Sequence, residues 1–245
     1  MPSKARPEKT KVPAKKAVPG RILCVDIGGH KIKALLEGET QPRKAPTGRD
    51  FTPDRMMRAV RELARGWDYD AVSIGFPGLV GESGPKAETR NLGHGWVGFD
   101  FPRAFGRPVR WANDAAMQAL GSYEGGRMLF LGLGTGLGSA LVVERMVLTF
   151  ELGDLPFGDL TLGQMLGRVG LKRSGKRKWR KLLLRTLPSL QKALLADYVV
   201  LGGGNSRHVE ALPIGVRLGN NLTAFRGGVR MWDRNPENGP FWTFL

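Results

Sequence analysis

The chain has 245 residues, of which 41% are hydrophobic, and this is enough to bury a core in one large domain or in two lobes. It has no apolar run that could span a membrane or form the core of a signal peptide, and its single cysteine excludes an internal disulfide or a cysteine-based zinc site, so we expect a cytoplasmic protein. The formal net charge of +16 is the unusual number, and it is typical of a protein that binds a polyanion.

Two segments carry most of the positive charge. Residues 1–20 hold six Lys or Arg residues and one Glu, and residues 171–185 hold eight Lys or Arg residues and no acid. The first segment is rich in Pro, Lys and Ala and cannot build a core, so we expect a disordered, solubilising tail. The second segment either binds a polyanion or forms one solvated face of a helix, and its composition leaves both open.

The first predicted elements are two strands joined by a turn within residues 22–36. An apolar run precedes Asp26 and the pair Gly28 and Gly29, and a second apolar run follows the glycines. The glycines would supply the positive φ of a hairpin turn. Their bare backbone N–H groups would also suit a phosphate cradle, with Asp26 holding the magnesium ion of the phosphate. The stretch by itself favours the plain hairpin and leaves the cradle open.

The following elements alternate between helices and strands that end in glycine turns or at helix N-termini. In chain order we expect a helix at 53–65, strands at 71–74 and 109–112, a helix from 115, a strand pair at 128–133 and 139–143, a helix at 179–195 and a last strand at 198–201. Pro188 is predicted to kink or restart its helix. This order indicates an α/β protein with ligands at the strand ends. Because a strand, a Gly-rich turn and a strand occur at 22–36 and again at 128–143, we expect two related halves that face one cleft.

Six short motifs follow one another and together carry a resemblance to a known family. They are VDIGG at 25–29, GFPG at 75–78, NLGHGW at 91–96, ANDAAMQALG at 112–121, GLGTGLGSALV at 132–142 and VVLGGGN at 199–205. The set resembles the ROK family of sugar kinases in the actin-like ATPase superfamily, in particular its short branch with the polyphosphate glucokinases, over about residues 21 to 232. The resemblance implies an α/β protein with the two-lobed actin-like ATPase (ribonuclease H-like) fold and a central cleft. We expect an N-terminal lobe at 21–111, a C-terminal lobe at 112–232 and a C-terminal tail at 233–245.

The resemblance assigns the chemistry to Asp114. This carboxylate would be the catalytic base that accepts the proton of a sugar hydroxyl while the hydroxyl oxygen attacks a terminal phosphoryl group. The plain alternative is a helix cap, because Asp and Asn are favoured at that position. Asn113 could serve as the cap, leave Asp114 free for catalysis and also bind sugar hydroxyls with its amide.

The other site residues that the resemblance implies fall into three groups and a metal position. The sugar side comprises Gly78, Asn91, Asn113, Asp114, Glu151 and Asp154, with Pro77 and Trp96 in the same wall. The phosphate-binding turns comprise Gly28, Gly29, His30, Lys31, Gly134, Thr135 and Gly136. The side of the adenosine or polyphosphate comprises Gly202, Gly203, Gly204, Lys178 and Lys181. Asp26 would act indirectly through Mg²⁺.

Two positions depart from the family pattern. His30 stands where the family usually has a small hydroxyl residue, and Asp154 stands where sugar-phosphorylating relatives have the His of a Glu-x-Gly-His motif. Aspartate cannot donate a hydrogen bond when it is ionised, so this change affects glucose binding more than the kinase chemistry. The Cys-rich zinc loop of many relatives is missing as well, and we therefore expect no zinc.

The basic run predicts the phosphoryl donor. A helix from Trp179 would put Lys178, Lys181 and Arg185 near one face, while the indole and the leucines turn toward the core. Such a line of charge suits polyphosphate, which continues as a string of negative charges where ATP ends in an adenosine. We therefore expect polyphosphate as a donor, and a solvated helix face is the alternative.

Three functions are open from the sequence. The first is a homodimeric hexose kinase that uses Mg²⁺ and either polyphosphate or ATP as phosphoryl donor. The second is a sugar-binding or regulatory relative without turnover, which Asp154 favours and the intact catalytic positions disfavour. The third is a nucleic-acid binder, which is disfavoured because the N-terminal tail is too short and Pro-rich for a helix-turn-helix and Trp179 is the one aromatic residue in the basic run. We expect a hexose and polyphosphate as partners, and neither a membrane nor a nucleic acid.

Overall fold

A computed structural model describes residues 19–220, 222–233 and 241–245 of the chain. The tail expected over residues 1–20 therefore lies outside the described residues, except for its last two. The described part contains two main β-sheets with helices on their faces, together with two short two-stranded sheets. No helix in this part is long and apolar enough to cross a membrane.

The strands and helices expected from the sequence are found, and the largest shift concerns the start of the longest helix. The strands are β1 (Ile22–Ile27), β2 (Lys31–Leu36), β3 (Arg43–Pro46), β4 (Ala71–Phe76), β5 (Val80–Gly81), β6 (Gly84–Pro85), β7 (Val109–Asn113), β8 (Arg127–Leu133), β9 (Leu137–Val143), β10 (Met146–Phe150), β11 (Pro156–Phe157), β12 (Leu160–Thr161), β13 (Tyr198–Gly202), β14 (Val216–Leu218) and β15 (Thr243–Phe244). The helices are α1 (Pro53–Leu63), α2 (Phe101–Phe105), α3 (Asp114–Ser122), α4 (Leu162–Leu166), α5 (Arg168–Ala193) and α6 (Thr223–Arg230), with 3-10 turns at Leu152–Asp154 and Ser206–His208.

The N-terminal sheet has five strands in the order β3-β2-β1-β4-β7. The strands β1 and β2 form the predicted antiparallel hairpin, while β1, β4 and β7 run parallel to one another. Both β1 and β4 are buried along their full length, as is typical of strands that are covered on both faces. The carboxyl ends of the three parallel strands meet at one edge, which brings Asp26, Gly78 and Asp114 to the same side of the sheet.

The turn between β1 and β2 differs from the prediction in its backbone. Neither Gly28 nor Gly29 has a positive φ, so the hairpin does not need glycine for its backbone conformation. The requirement is spatial, because a Cβ on Gly29 would lie 3.2 Å from the Cβ of Asn91 and one on Gly28 would lie 3.3 Å from the carbonyl oxygen of Lys31. The predicted positive φ at these glycines is therefore wrong. Glycine is needed at residue 29 because the loop that carries Asn91 packs directly against the turn.

The C-terminal sheet has six strands in the order β14-β13-β8-β9-β10-β15. The strands β8 and β9 form the second strand-turn-strand unit expected from the sequence, and they pair antiparallel. On one side β13 and β14 continue the sheet in parallel with β8, and on the other side β15 pairs in parallel with β10. Each main sheet thus contains a hairpin whose inner strand has a parallel neighbour.

Three apolar clusters fill the layers around the two sheets. One packs α1 and α2 on the outer face of the N-terminal sheet, a second lies between the sheets around α3 and α6, and a third packs α4 and α5 on the outer face of the C-terminal sheet. We call the N-terminal sheet with α1 and α2 the N-terminal lobe, and the C-terminal sheet with α4 and α5 the C-terminal lobe. The helices α3 and α6 are shared by the two lobes.

The two shared helices fasten the lobes to each other. They cross at Gly121 and Gly227, where their backbones are in direct contact. The Oγ of Ser73, in the N-terminal sheet, donates a hydrogen bond to the carbonyl oxygen of Gly228 in α6 at 2.6 Å. The indole N–H of Trp232 in turn donates to the Oγ of Ser73 at 2.8 Å. A buried polar link thus joins the segment after α6 to the N-terminal sheet.

The longest helix, α5, departs from the prediction. It begins at Arg168 rather than near Trp179, and its break lies at Gly175, with φ 74° and ψ 158°, instead of at Pro188. Glycine adopts such a conformation without steric cost, so the chain bends there. Pro188 lies inside the helix at an exposed position. The predicted restart of the helix at Pro188 is therefore wrong, because α5 continues through this residue.

Candidate active site

The candidate active site lies at the carboxyl ends of the parallel strands, where the two lobes meet. Asp114 is the first residue of α3 and directly follows β7. Its charge interacts with Asp26 of the N-terminal lobe and with Glu151 of the C-terminal lobe. A Cβ on Gly138, at the start of β9, would lie 3.0 Å from the Cβ of Ala115. Asp114 therefore lies beside the glycine-rich turn that precedes β9.

The pKa of Asp114 is raised from 3.8 to about 7. Burial is the largest cause, and the negative charges of Asp26 and Glu151 raise the pKa further. The backbone N–H of Ala115 and the cation of Lys33 act in the opposite direction and lower it. A carboxylate whose pKa lies near the operating pH is what general-base catalysis requires.

Asn113 acts as the N-cap of α3, as its sequence position predicts. Its Oδ1 accepts hydrogen bonds from the N–H groups of Ala115 at 2.9 Å and Ala116 at 3.3 Å. Its Nδ2 donates to the carbonyl oxygen of Gly78 at 3.2 Å, which ties the loop after β4 to the start of α3. One amide hydrogen is left by these contacts, and the binding of a sugar hydroxyl by Asn113 stays a prediction.

Lys33 is a cation of the site that the motifs did not single out. It lies opposite Asp26 in the β1–β2 register, and its Nζ is 2.8 Å from Oδ2 of Asp26. The carboxylate of Asp26 is nearly buried, whereas Lys33 is half-buried at the open side. The sequence carried a signal for this pair, because a hairpin with its turn at 28–30 already sets the two residues opposite each other.

Magnesium fits this site only as an ion that the phosphoryl donor itself helps to bind. Within the described ranges, no group of three or more His, Cys, Asp or Glu side chains could hold a metal ion. Mg²⁺ is commonly bound by one or two carboxylates together with substrate phosphates. Asp26 is such a carboxylate at the strand end, and Lys33 already engages one of its two oxygens.

Thr47 contacts the turn of the N-terminal lobe, Gly28–His30, through its side chain and its backbone. Thr47 donates its hydroxyl to the carbonyl oxygen of Gly28 at 2.6 Å and its N–H to the carbonyl oxygen of His30 at 3.1 Å. Both His30 and Lys31 are exposed. The N–H of Gly28 donates to the carbonyl oxygen of Lys31 at 2.9 Å, so binding of an anion by this turn would depend on the N–H groups of Gly29 and His30.

The turn of the C-terminal lobe, Gly134–Gly136, is open. A Cβ on Gly134 or on Gly136 would meet no atom within 4 Å. The carbonyl oxygen of Gly134 accepts hydrogen bonds from the N–H of Arg168 and from Nδ2 of Asn205, each at 3.0 Å. Small residues that face empty space next to Asp114 leave room for a ligand such as a phosphate.

The glycines at 202–204 pack behind this second turn. Gly203 has φ +78°, and a Cβ there would lie 2.6 Å from the backbone of Leu133. A Cβ on Gly202 would lie 2.4 Å from the ring of Phe130, whereas one on Gly204 would meet nothing within 4 Å. Only Gly204 of the three therefore faces open space, and contact of this loop with adenosine or polyphosphate stays a prediction.

The acidic residues predicted for the sugar side, Glu151 and Asp154, lie on a short turn after β10. The backbone N–H of Asp154 donates to the carbonyl oxygen of Glu151 at 2.9 Å. Burial and the neighbouring charge of Asp154 raise the pKa of Glu151. The intervening Gly153 is buried against Leu137, where a Cβ would lie 2.8 Å from the carbonyl oxygen. This packing fixes the turn against the start of β9.

Trp96 does not belong to the sugar-facing wall. Its side chain is fully buried and stacks on Phe101 with ring centroids 6.2 Å apart. It therefore belongs to the outer core of the N-terminal lobe. The loop that carries it is held by Glu88, whose Oε1 accepts from the N–H groups of Gly95, Trp96 and Val97 at 3.0–3.2 Å. The predicted role of Trp96 in the wall is therefore wrong.

The basic run follows the predicted arrangement on its helix. Trp179 and Leu183 are buried, and the indole N–H donates to the carbonyl oxygen of Leu166 at 2.9 Å. Lys178, Lys181 and Arg185 are exposed. The first of them also lines an open groove of about 530 Å³, together with Phe157, Asp159, Leu160, Met165, Arg173 and Ser174.

Comparison with known proteins identifies the family. The ROK family model matches residues 22–153, which are more than half of the chain. A polyphosphate glucokinase from Mycobacterium tuberculosis is 24% identical over 212 residues, which cover 76% of this chain and 78% of the relative. A kanosamine kinase from Amycolatopsis mediterranei is 27% identical over 176 residues, which cover 63% of this chain and 54% of the relative.

A solved structure has a similar architecture. The inorganic polyphosphate/ATP-glucomannokinase from Arthrobacter sp. strain KM superposes with a TM-score of 0.75 at 22% identity, over 88% of this chain and 98% of that one. This likeness confirms the expected α/β fold, the two-lobed architecture of the actin-like ATPases. With the motifs in the expected order and the family model matched over more than half of its length, the chain belongs to the ROK family.

Proposed function

We propose that the protein is a sugar kinase that transfers a terminal phosphoryl group from polyphosphate, ATP or both to a hexose such as glucose or mannose. The observation that carries this proposal is Asp114, a carboxylate with a pKa of about 7 that lies where the two lobes meet and beside an open glycine turn. A base for a hydroxyl proton, with backbone N–H groups for phosphoryl oxygens nearby, is what transfer to an alcohol needs.

In the proposed reaction, Asp114 accepts the proton of a sugar hydroxyl. The hydroxyl oxygen forms a bond to the terminal phosphorus, and the bond from this phosphorus to the bridging oxygen breaks. The electron pair of the broken bond stays on the leaving group, which is ADP or a shortened polyphosphate. Backbone N–H groups at 29–30 and 135–136, in the two glycine turns, would bind the phosphoryl oxygens. Asp26 would hold Mg²⁺ together with the donor phosphates, where the ion offsets their negative charge.

The names of the relatives support the same class of chemistry. Two of them are a polyphosphate glucokinase and a polyphosphate/ATP-glucomannokinase, and a third is a kanosamine kinase. All three names describe a kinase that acts on a sugar, and two name polyphosphate. The sequence identities of 22–27% are low, so the identity of the hexose and of the donor has to be argued from the residues of this chain and tested by experiment.

A second candidate function is a sugar-binding protein without turnover. The observation that favours it is Asp154, which adds a second carboxylate beside Glu151 and raises the pKa of that residue. Two carboxylates offer acceptors to sugar hydroxyls but no donor while they are ionised.

The test is a matrix of phosphorylation assays with glucose and mannose as acceptors and ATP and polyphosphate as donors, with the product identified by mass spectrometry. We expect formation of a phosphorylated hexose, and we expect this reaction to require Mg²⁺ and at least one of the two donors. Calorimetric binding of a hexose without any phosphorylated product would favour the second candidate function instead.

Exchange of Asp154 for the histidine of the family motif tests the sugar side. Asp154→His should lower the KM for glucose by about tenfold, because the imidazole supplies a hydrogen-bond donor that the carboxylate lacks. The measurement is the KM for glucose and for mannose at saturating donor, with Asp159→His as a control that adds the same ring five residues away. If both KM values stay at those of the parent, residue 154 does not face the sugar.

Charge reversal in the basic run tests the donor. The double variant Lys178→Glu and Lys181→Glu should raise the KM for polyphosphate by about tenfold or more and leave that for ATP almost unchanged, because only the long polyanion extends along the helix. The parent's KM for polyphosphate should also rise steeply with salt. Arg58→Glu with Arg61→Glu, on the exposed face of α1, is the matched control. Equal effects on both donors would reduce the run to a solvated helix face.

A further inference from the structure

One contact crosses the cleft between the two phosphate-binding turns. Nη1 of Arg168, at the start of α5, lies 3.1 Å from Nε2 of His30, 138 residues away in the other lobe. Both side chains are exposed. Neither residue is needed to build a core, so the contact has no role in packing that would explain its position.

The backbone of Arg168 is fixed to the turn of the C-terminal lobe. Its N–H donates to the carbonyl oxygens of Gly134 at 3.0 Å and Thr135 at 3.3 Å. The preceding Gly167 is pressed against the same turn, since a Cβ there would lie 2.6 Å from the carbonyl oxygen of Thr135 and 3.0 Å from the Cα of Gly136. The guanidinium therefore starts from a fixed point beside one glycine turn and reaches the tip of the other.

No acid among the described residues balances the charge of this guanidinium. Among the ion pairs of the described residues, no carboxylate lies within 4.0 Å of Arg168. An imidazole that accepts a hydrogen bond from a guanidinium brings no negative charge to it. A phosphate between the guanidinium and the imidazole would supply that charge and accept hydrogen bonds from both, and guanidinium groups bind phosphate oxygens in a planar, bidentate geometry.

We propose that Arg168 binds the terminal phosphates of the phosphoryl donor and exchanges its contact with His30 for them. The inference rests on the proposed kinase function and adds to it a residue that none of the six motifs contains. Arg168 would complete the phosphate site from the side of the C-terminal lobe, and Lys172, one helical turn further along α5, is the first cation of the basic run. Because every donor has terminal phosphates, Arg168 acts on ATP and polyphosphate alike, in contrast to Lys178 and Lys181.

The test compares Arg168→Met, Arg168→Lys and the control Arg58→Met, which removes an exposed arginine of α1. The measurements are the dissociation constant of inorganic tripolyphosphate, by calorimetry, and the KM values for ATP, polyphosphate and glucose. Arg168→Met should weaken tripolyphosphate binding and raise both donor KM values by about 10- to 100-fold, with the KM for glucose unchanged. Arg168→Lys should give intermediate values, because lysine keeps the charge and loses the planar fork. Arg58→Met should match the parent.

Failure of this inference can be told apart from failure of the proposed function. A parent protein that phosphorylates hexoses, and whose donor KM values and tripolyphosphate affinity do not change in Arg168→Met, overturns only the role of Arg168. An equal rise of the KM values for glucose and for the donors also overturns it, since that result would mean that Arg168 only holds the two lobes together. If the parent phosphorylates nothing, the calorimetric comparison still decides, and tripolyphosphate bound equally by the parent and Arg168→Met, or by neither, overturns the inference.

Discussion

Asp114→Asn is expected to keep the fold and the affinity for the sugar while turnover falls by about 10²–10⁴-fold, the usual size of general-base assistance. The amide has nearly the same shape as the carboxylate, and its oxygen can still accept from the N–H of Ala115, as Oδ1 of Asp114 does at 2.8 Å. It cannot take up a proton at neutral pH. The measurements are kcat, the dissociation constant of the hexose and the melting temperature.

The same variant should lower turnover but raise the stability of the folded protein. Folding raises the pKa of Asp114 from 3.8 to about 7, so the folded state favours the protonated carboxyl group. The ionised carboxylate therefore lowers the free energy of unfolding as the pH rises above 3.8, and the full loss is reached above about 7. Asp114→Asn should accordingly raise the melting temperature at about pH 8 and have little effect at about pH 4.

The control for Asp114 is Asp54→Asn, which changes an exposed carboxylate in the first turn of α1. Asp54, like Asp114, is in the first turn of its helix but lies outside the site, so its variant should keep the turnover of the parent. Turnover of Asp114→Asn within a few-fold of the parent would leave Asp114 as part of a helix cap, with no role as the base.

Gly121→Ala is expected to destabilise the protein by about 3 kcal/mol, although alanine is the better helix former by about 1 kcal/mol. A Cβ at residue 121 would lie 1.8 Å from the carbonyl oxygen of Thr223 and 2.6 Å from the backbone nitrogen of Gly227. Both neighbours are backbone atoms, so α3 and α6 must move apart. Because α3 carries Asp114 and both helices join the lobes, the folded fraction should also lose turnover.

The measurement for this variant is chemical denaturation at constant temperature. Gly48→Ala is the matched control, since its Cβ would meet only an atom of Asp50 at 3.6 Å, an ordinary contact. The control should stay within about 0.5 kcal/mol of the parent. A Gly121→Ala protein as stable as the control would mean that the two helices do not cross at these glycines.

The parts of the site that the sequence predicted are local. The cap by Asn113 and the strand end at Asp26 depend only on neighbouring residues, so the short sequence motifs predict them directly. The two errors at the site concern distant partners. Gly29 is required by its packing against Asn91 and not by its own φ, and Trp96 is in the core because aromatic side chains around it close over it.

Two cations of the site were missed for different physical reasons. Lys33 was within reach of the sequence, since the hairpin register alone sets it opposite Asp26. Arg168 was not, because its contact with His30 spans 138 residues and joins the two lobes. Contacts between lobes depend on how the sheets are joined, and no short motif encodes this.

The central claim, that Asp114 is the base for phosphoryl transfer, is tested most directly by the pH dependence of kcat with saturating hexose and donor. The account predicts a kcat that rises about tenfold per pH unit at acid pH and levels off above about 7, the value to which the pKa of Asp114 is raised, and Asp114→Asn should lose this dependence. A kcat that is flat between about pH 5.5 and pH 8.5, or a variant that keeps both the turnover and the pH profile of the parent, would contradict the account.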